Sequence, residues 1–350
     1  MSNSMGITAM ADTDTKIINT IEDGIPLVSE PFKEMARKLD ITEDYLIECI
    51  GRQKTLKVIR QISPIYDTRM LGFESSLITF KIAPEKIEPA AMIINSYPGV
   101  SHNYQRDTDF NLWFTIAVPP DSPLDLRKIV GLIAMKSAAD DFLILSSLRM
   151  FKIGVKLSVA SGANDKEVVS STRKSYVPLT EEEKRIVRAT QNDMPLISKP
   201  FEYYAHMLGM KEGFVIEKLD EFLRRGVFRR FAAVLYHRKI GYVANAMVVW
   251  KVPEEAVEET GKKIASFKAV SHCYERTSKE AWPYNLYSMI HGKSKDEVTD
   301  VIDSIKHEIN VADLKVIYST REFKKVRPKY FTEDYHFWVK DNVIQDAGGS

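Results

Sequence analysis

The sequence predicts an α+β protein with an internal duplication, each half a winged helix-turn-helix followed by a βαββαβ domain. Three observations predict it: a repeat at near-constant spacing, helical apolar spacing at the start of each half, and strand–helix alternation over the remainder. PLVSEPF, Pro26 to Phe32, recurs as PLISKPF, Pro195 to Phe201, 169 residues further on. The same spacing pairs VIRQI, Val58 to Ile62, with VFRRF, Val227 to Phe231, and sets Arg69 to Gly72 against Arg238 to Gly241. After small insertions VSHNYQR, Val100 to Arg106, matches VSHCYER, Val270 to Arg276, and FNLWF, Phe110 to Phe114, matches YNLYS, Tyr284 to Ser288. Ordered matches of this extent mark two homologous copies.

The elements follow in order. Lys16 to Ile21, Pro31 to Leu39 and Thr42 to Gly51 carry apolar residues at helical spacing, separated by turn residues at Asp23 to Pro26 and at Asp40. Three short helices so spaced make a helix-turn-helix. In the second copy Thr180 with Glu183 offers a capping box for the first helix, and Lys211 to Arg225 gives the third. Next come a strand at Ser75 to Ile82, a helix at Pro84 to Asn95, strands at Val100 to Arg106 and Phe110 to Val118, a helix at Leu124 to Ala138 and a strand at Phe142 to Lys152. The second copy repeats them at Val243 to Val252, Glu254 to Phe267, Val270 to Thr277, Tyr284 to His291, Lys295 to Glu308 and Leu314 to Thr320. The order βαββαβ is ferredoxin-like, with helices on one sheet face only. The bare face needs a partner, which two copies in one chain supply as a pseudo-dimer.

The expected domains are a disordered N-terminus (1–12), a first helix-turn-helix (13–62), a first ferredoxin-like domain (63–160), a linker (161–178), a second helix-turn-helix (179–231), a second ferredoxin-like domain (232–329) and a C-terminal tail (330–350). Exposed sheet edges would leave room for a homo-oligomer.

The 350 residues carry 49 Lys and Arg against 48 Asp and Glu, a formal charge of +1, so the global basic excess of a dedicated nucleic-acid binder is absent. Two cysteines, Cys49 and Cys273, exclude a disulfide framework and an all-cysteine metal or iron–sulfur site, and they fit a reducing cytoplasm. The first fifteen residues have neither a basic nor an apolar leader segment, and no apolar run reaches bilayer length, so neither export nor a membrane is expected. Glycine-rich phosphate loops, HExxH and a nucleophile elbow are missing.

A helix-turn-helix ahead of a ferredoxin-like domain resembles the Lrp/AsnC regulators, for which the third helix is the test. It carries Glu43, Asp44 and Glu48 in the first copy and Glu212, Glu217, Asp220 and Glu221 in the second, which repel phosphate. DNA is therefore the disfavoured partner. Within that group three segments resemble the sirohaem decarboxylases, the AhbA/AhbB and NirD/L/G/H proteins: Arg229 to Trp250, Val100 to Thr115 and Val270 to Gly292. Two tandem copies resemble the fused NirDL arrangement. The resemblance implies removal of two acetate carboxyl groups from sirohaem, giving 12,18-didecarboxysirohaem on the way to haem d1 or haem. The iron belongs to the substrate, and no separate cofactor or protein metal site is expected.

The residues suit that substrate. A flat apolar ring edged by carboxylates calls for Arg donors around aromatic side chains. Arg60, Arg69, Arg106, Tyr104 and Trp113 offer them in the first half, and Arg229, Arg230, Arg238, Arg276, Tyr274, Trp282 and Tyr287 in the second. The methylene left by each lost carboxyl must be protonated, and histidine is the natural acid near neutral pH. His102 pairs with His272 across the repeat, whereas His237 faces Thr68 and His291 faces Ala117, so the halves are unequal. The expected catalytic residues are His237, His272 and His102. The expected substrate contacts are Arg229, Arg230, Arg238, Arg276, Arg106, His291, Tyr274, Tyr287 and Trp113. A structural role competes for each of them: Trp113 and Tyr287 could fill the sheet interface, and His336 in the aromatic segment Tyr330 to Trp338 could pack on the body. Two other functions share the same scaffold, a regulator that senses a small ligand or tetrapyrrole and a tetrapyrrole carrier that leaves its cargo unchanged.

Overall fold

The computed structural model describes residues 12–153, 176–236, 244–311 and 313–347. The first half forms α1 (Asp12–Asp23), α2 (Pro31–Leu39), α3 (Glu43–Thr55), β1 (Ile59–Tyr66), β2 (Glu74–Lys81), α4 (Ile87–Ser96), β3 (Val100–Arg106), β4 (Leu112–Val118), α5 (Leu126–Lys136) and β5 (Asp141–Ile153). The second forms α6 (Glu181–Thr190), α7 (Pro200–Leu208), α8 (Glu212–Arg225), β6 (Phe228–Leu235), β7 (Ala244–Lys251), α9 (Val257–Ser266), β8 (Val270–Arg276), β9 (Leu286–Gly292), α10 (Lys295–Glu308), β10 (Asp313–Ile317) and β11 (Ser319–Lys325), followed by α11 (Asp334–Ala347). Local chemistry sets the ends. Thr180 and Glu183 close the capping box at α6, and α2 and α7 each begin on a proline and stop at a left-handed residue, Asp40 and Gly209.

The described residues divide into two compact units, 12–71 with 176–236 and 72–153 with 244–347. The first unit holds both helix-turn-helix copies. Ile17, Phe32, Leu46 and Ile50 fill one core, and Ile186, Phe201, Val215 and Phe222 the other. The copies join through β1 and β6, antiparallel from Ile59 opposite Leu235 to Tyr66 opposite Phe228. Around this ribbon the bonds come in pairs: Ile25 N to Phe231 O at 2.6 Å and Met194 N to Ile62 O at 2.8 Å, then Ser29 Oγ to Glu212 at 2.9 Å and Ser198 Oγ to Glu43 at 2.8 Å. The expected breaks after residues 62 and 231 fall inside β1 and β6. Because the two strands pair with each other, they stay with the helices.

The second unit holds both ferredoxin-like copies in one sheet of order β10-β7-β9-β8-β5-β2-β4-β3-β11. The last strand of each copy is shared. The first part of β5 pairs with β2 and the second with β8, and likewise β10 pairs with β7 while β11 pairs with β3. Only Tyr318 separates β10 from β11, so the two ends of the sheet order are one run of chain and the sheet closes on itself. The exposed edges expected of the ferredoxin-like copies are thus corrected for this sheet: among the described residues each copy covers the other's edge. Inside, Phe110, Trp113, Leu143 and Leu145 from the first copy meet Met247, Val249, Trp282 and Tyr287 from the second. The tail packs on this unit as the sequence suggested, with Tyr330, Phe331 and Tyr335 edge-on to Phe73 and Trp338 edge-on to Tyr97. No helix among the described residues is long and apolar enough to cross a membrane.

Candidate active site

The two VSH segments become β3 and β8, and on each the same three side chains alternate onto one sheet face. The His102 ring stacks on Tyr104 at 6.2 Å and 27°, and His272 on Tyr274 at 6.3 Å and 22°. One step further the guanidinium of Arg106 lies 5.7 Å from the Tyr104 ring, and that of Arg276 4.8 Å from the Tyr274 ring. The far end of each arginine donates to the opposite copy, Arg106 Nη1 to Ile317 O at 3.3 Å and Arg276 Nη1 to Leu145 O at 2.8 Å. Arg106 is only 8% exposed, also faces Trp113, and has its pKa lowered by burial to about 10. Arg106 thus forms a joint between the copies. Arg276 makes the same joint but stays half-buried.

The serines of the VSH motifs, unremarked in the sequence, sit in bulges. The register passes from Val270 opposite Ile290 to His272 opposite Met289, so two steps along β8 meet one along β9. Val100 and His102 against Ile116 and Thr115 do the same in the first copy. A bulge re-aims the extra residue. Adjacent strand residues ordinarily point to opposite faces, yet Ser271 Oγ lies 2.8 Å from His272 Nδ1 and 2.7 Å from His291 Nε2. In the first copy Ser101 Oγ lies 3.0 Å from His102 Nδ1 and 2.7 Å from Thr115 Oγ1, because Ala117 stands where the second copy has His291. The inequality read from the sequence takes physical form: the second copy gathers two imidazoles around one hydroxyl, and the first only one.

The remaining expected residues separate. Trp113 and Tyr287 are 1% and 3% exposed, the indole donating to Phe110 O at 2.6 Å and the phenol accepting from Trp282 Nε1 at 2.9 Å. Both side chains lie in the core between the two copies, the interface-filling place that the sequence also offered them. Tyr274 is half-buried beneath His272. In the helical unit Arg229 on β6 donates to Asp67 Oδ2 at 3.0 Å, and the backbone N–H of Asp67 is tied to Val227 O. Arg230 is half-buried on the same strand, as is Arg60 on β1. His237 and Arg238 lie outside the described residues.

The helix-turn-helix segments 14–60 and 183–229 match the model of the siroheme decarboxylase NirDL-like HTH domain, and segments 70–152 and 239–324 match the AsnC-like ligand binding domain. A siroheme decarboxylase of Hydrogenobacter thermophilus is 49% identical over 334 residues, covering 95% of this chain and 99% of the relative. A siroheme decarboxylase beta subunit of Methanosarcina barkeri is 39% identical over 141 residues, 40% of this chain and 93% of that shorter protein. Among solved structures, the siroheme decarboxylase NirDL in complex with an iron-uroporphyrin III analogue is 43% identical, with a TM-score of 0.78 over 95% of this chain and 99% of the other. With both family models falling twice along the sequence and a relative matched from end to end, the chain belongs to the sirohaem decarboxylases.

Proposed function

We propose that the chain removes the two acetate carboxyl groups of sirohaem to give 12,18-didecarboxysirohaem, for haem d1 or haem synthesis, acting as a carboxy-lyase. The observation that carries the reading is the near end-to-end likeness to a decarboxylase whose structure holds an iron-uroporphyrin III analogue, a tetrapyrrole rich in carboxylates. Each lost carboxyl leaves an electron pair that the conjugated substrate ring accepts, so the reaction needs no separate cofactor, and the iron arrives with the substrate. What the chain must add is a proton donor and cationic anchors. His272 and His237 are the proposed donors, with His291 beside His272 and His102 in the related position of the first half. Arg229, Arg230, Arg238 and Arg276 are the proposed anchors. The cytoplasm is the proposed setting, and both cysteines are buried free thiols.

The regulator reading loses support from the first unit. Glu43 and Glu212, at the starts of the third helices, each accept a bond from the serine of the other copy, which places carboxylates where a recognition helix would meet phosphate.

Anaerobic incubation of the purified protein with sirohaem, followed by mass spectrometry of the extracted tetrapyrrole, tests the proposal. Loss of two carbon dioxide units without added cofactor is the expected result. An unchanged mass would overturn it: with a shifted absorption spectrum the protein is a carrier or sensor, and without one sirohaem is not its ligand.

A further inference from the structure

Ser271 stands between two imidazoles at normal hydrogen-bond lengths, 2.8 Å to His272 Nδ1 and 2.7 Å to His291 Nε2, and is 2% exposed. Its third neighbour, Met289 O, is 3.4 Å away and is the weaker acceptor. A hydroxyl has one proton to give, so Ser271 donates to one ring and accepts from an N–H of the other. The tautomers of the two histidines are thereby coupled: when Nδ1 of His272 accepts, Nε2 of His291 carries a proton, and a shift along the bridge reverses both.

We propose that Ser271 is the positioning residue of a two-histidine relay, in which His291 supplies through the Ser271 hydroxyl the proton that His272 delivers to the substrate. This rests on the sirohaem decarboxylation reading and adds the route of the proton. The bond between methylene and carboxylate breaks, carbon dioxide leaves, and the electron pair passes into the conjugated ring of the substrate. The methylene carbon then takes the proton from Nε2 of His272. In the same movement Ser271 passes its proton to Nδ1 of His272 and takes the one on Nε2 of His291, which enters the step protonated on both nitrogens. One proton is consumed for each carboxylate converted to carbon dioxide and a methyl group, and His291 recovers its own from water.

The first half lacks this arrangement. Ser101 bridges His102 to Thr115, and the position of His291 is Ala117, so the hydroxyl leads to a second hydroxyl and not to a second base. A threonine can fix a tautomer but holds no spare proton near neutral pH. The relay therefore assigns proton delivery to the second half.

The test uses the full chain and the variants Ser271→Ala, Ser271→Thr and His291→Gln. Ser271→Ala and His291→Gln should each lower kcat for sirohaem by about 100-fold, within the usual range for a lost acid–base contribution, with KM little changed. Ser271→Thr, which restores the hydroxyl, should recover most of the rate. Independently of turnover, the ring nitrogen signals of 15N-labelled histidine should show two rings changing tautomer together in Ser271→Ala. A Ser271→Ala protein with wild-type kcat and unchanged ring signals overturns the relay. If that variant does not fold, His291→Gln decides in its place, and an unaltered kcat there is equally fatal. Wild-type protein that leaves sirohaem intact defeats the functional reading instead, and the nitrogen signals still report on the bridge.

Discussion

Burial and hydrogen bonding give the candidate residues different surroundings. Arg229 is ordered by Asp67, whose side chain is 15% exposed and is anchored by its own backbone N–H. Asp67→Ala leaves a half-buried guanidinium without that carboxylate and should cost about 1–3 kcal/mol, read as a lower urea midpoint at constant m-value. The thiols make the opposite case. Burial, reinforced by the Asp14 carboxylate to which Cys49 donates at 3.3 Å, raises the Cys49 pKa to about 11, and full burial pushes Cys273 up as well. A thiol so held is protonated and shielded near neutral pH, so native protein should react with a thiol reagent at neither cysteine, and both should react once it is unfolded. Rapid labelling of folded protein would contradict this. That Trp113 and Tyr287 lie in the core could not be read from the sequence, because residue type does not tell which face of a closed sheet a strand residue takes.

At the level of elements, helix starts and periodicities were readable because they are local. The Thr180 and Glu183 pair caps α6 as its spacing indicated, and Thr180→Ala should lower stability by about 1 kcal/mol in chemical denaturation. Gly261 shows where local reasoning fails. It lies inside α9, where alanine is ordinarily favoured by about 1 kcal/mol. A Cβ there would come within 2.4 Å of the Phe151 ring, which β5 of the other copy lays against the helix. Gly261→Ala should therefore destabilise, by about 1–3 kcal/mol, and Phe151→Leu in the same chain should relieve part of the loss. A stabilised Gly261→Ala protein would mean that β5 does not pack on α9 in this way. The bulges in β3 and β8 belong to the same class. No residue in VSHNYQR or VSHCYER announces one, yet the bulge is what turns Ser271 toward His291.

For the whole molecule the consequence is interdependence of the two halves. Either half alone would expose both the edge that the other covers and the face that carries Trp113 or Tyr287. Residues 1–160 and 161–350 produced as separate chains should be poorly folded apart and should associate one to one when produced together, as size-exclusion chromatography with mass determination would show. Two well-folded monomers would refute the shared sheet. The sequence by itself determined the duplication, the order of elements, the inequality of the histidines and the family, because repeats, caps and periodicities are written in neighbouring residues. Only the tertiary structure decided that the last strand of each copy divides its pairing between both, that Arg106 joins the copies, and that one serine bridges His272 and His291. Those outcomes depend on register and burial, which are settled between segments far apart in the chain.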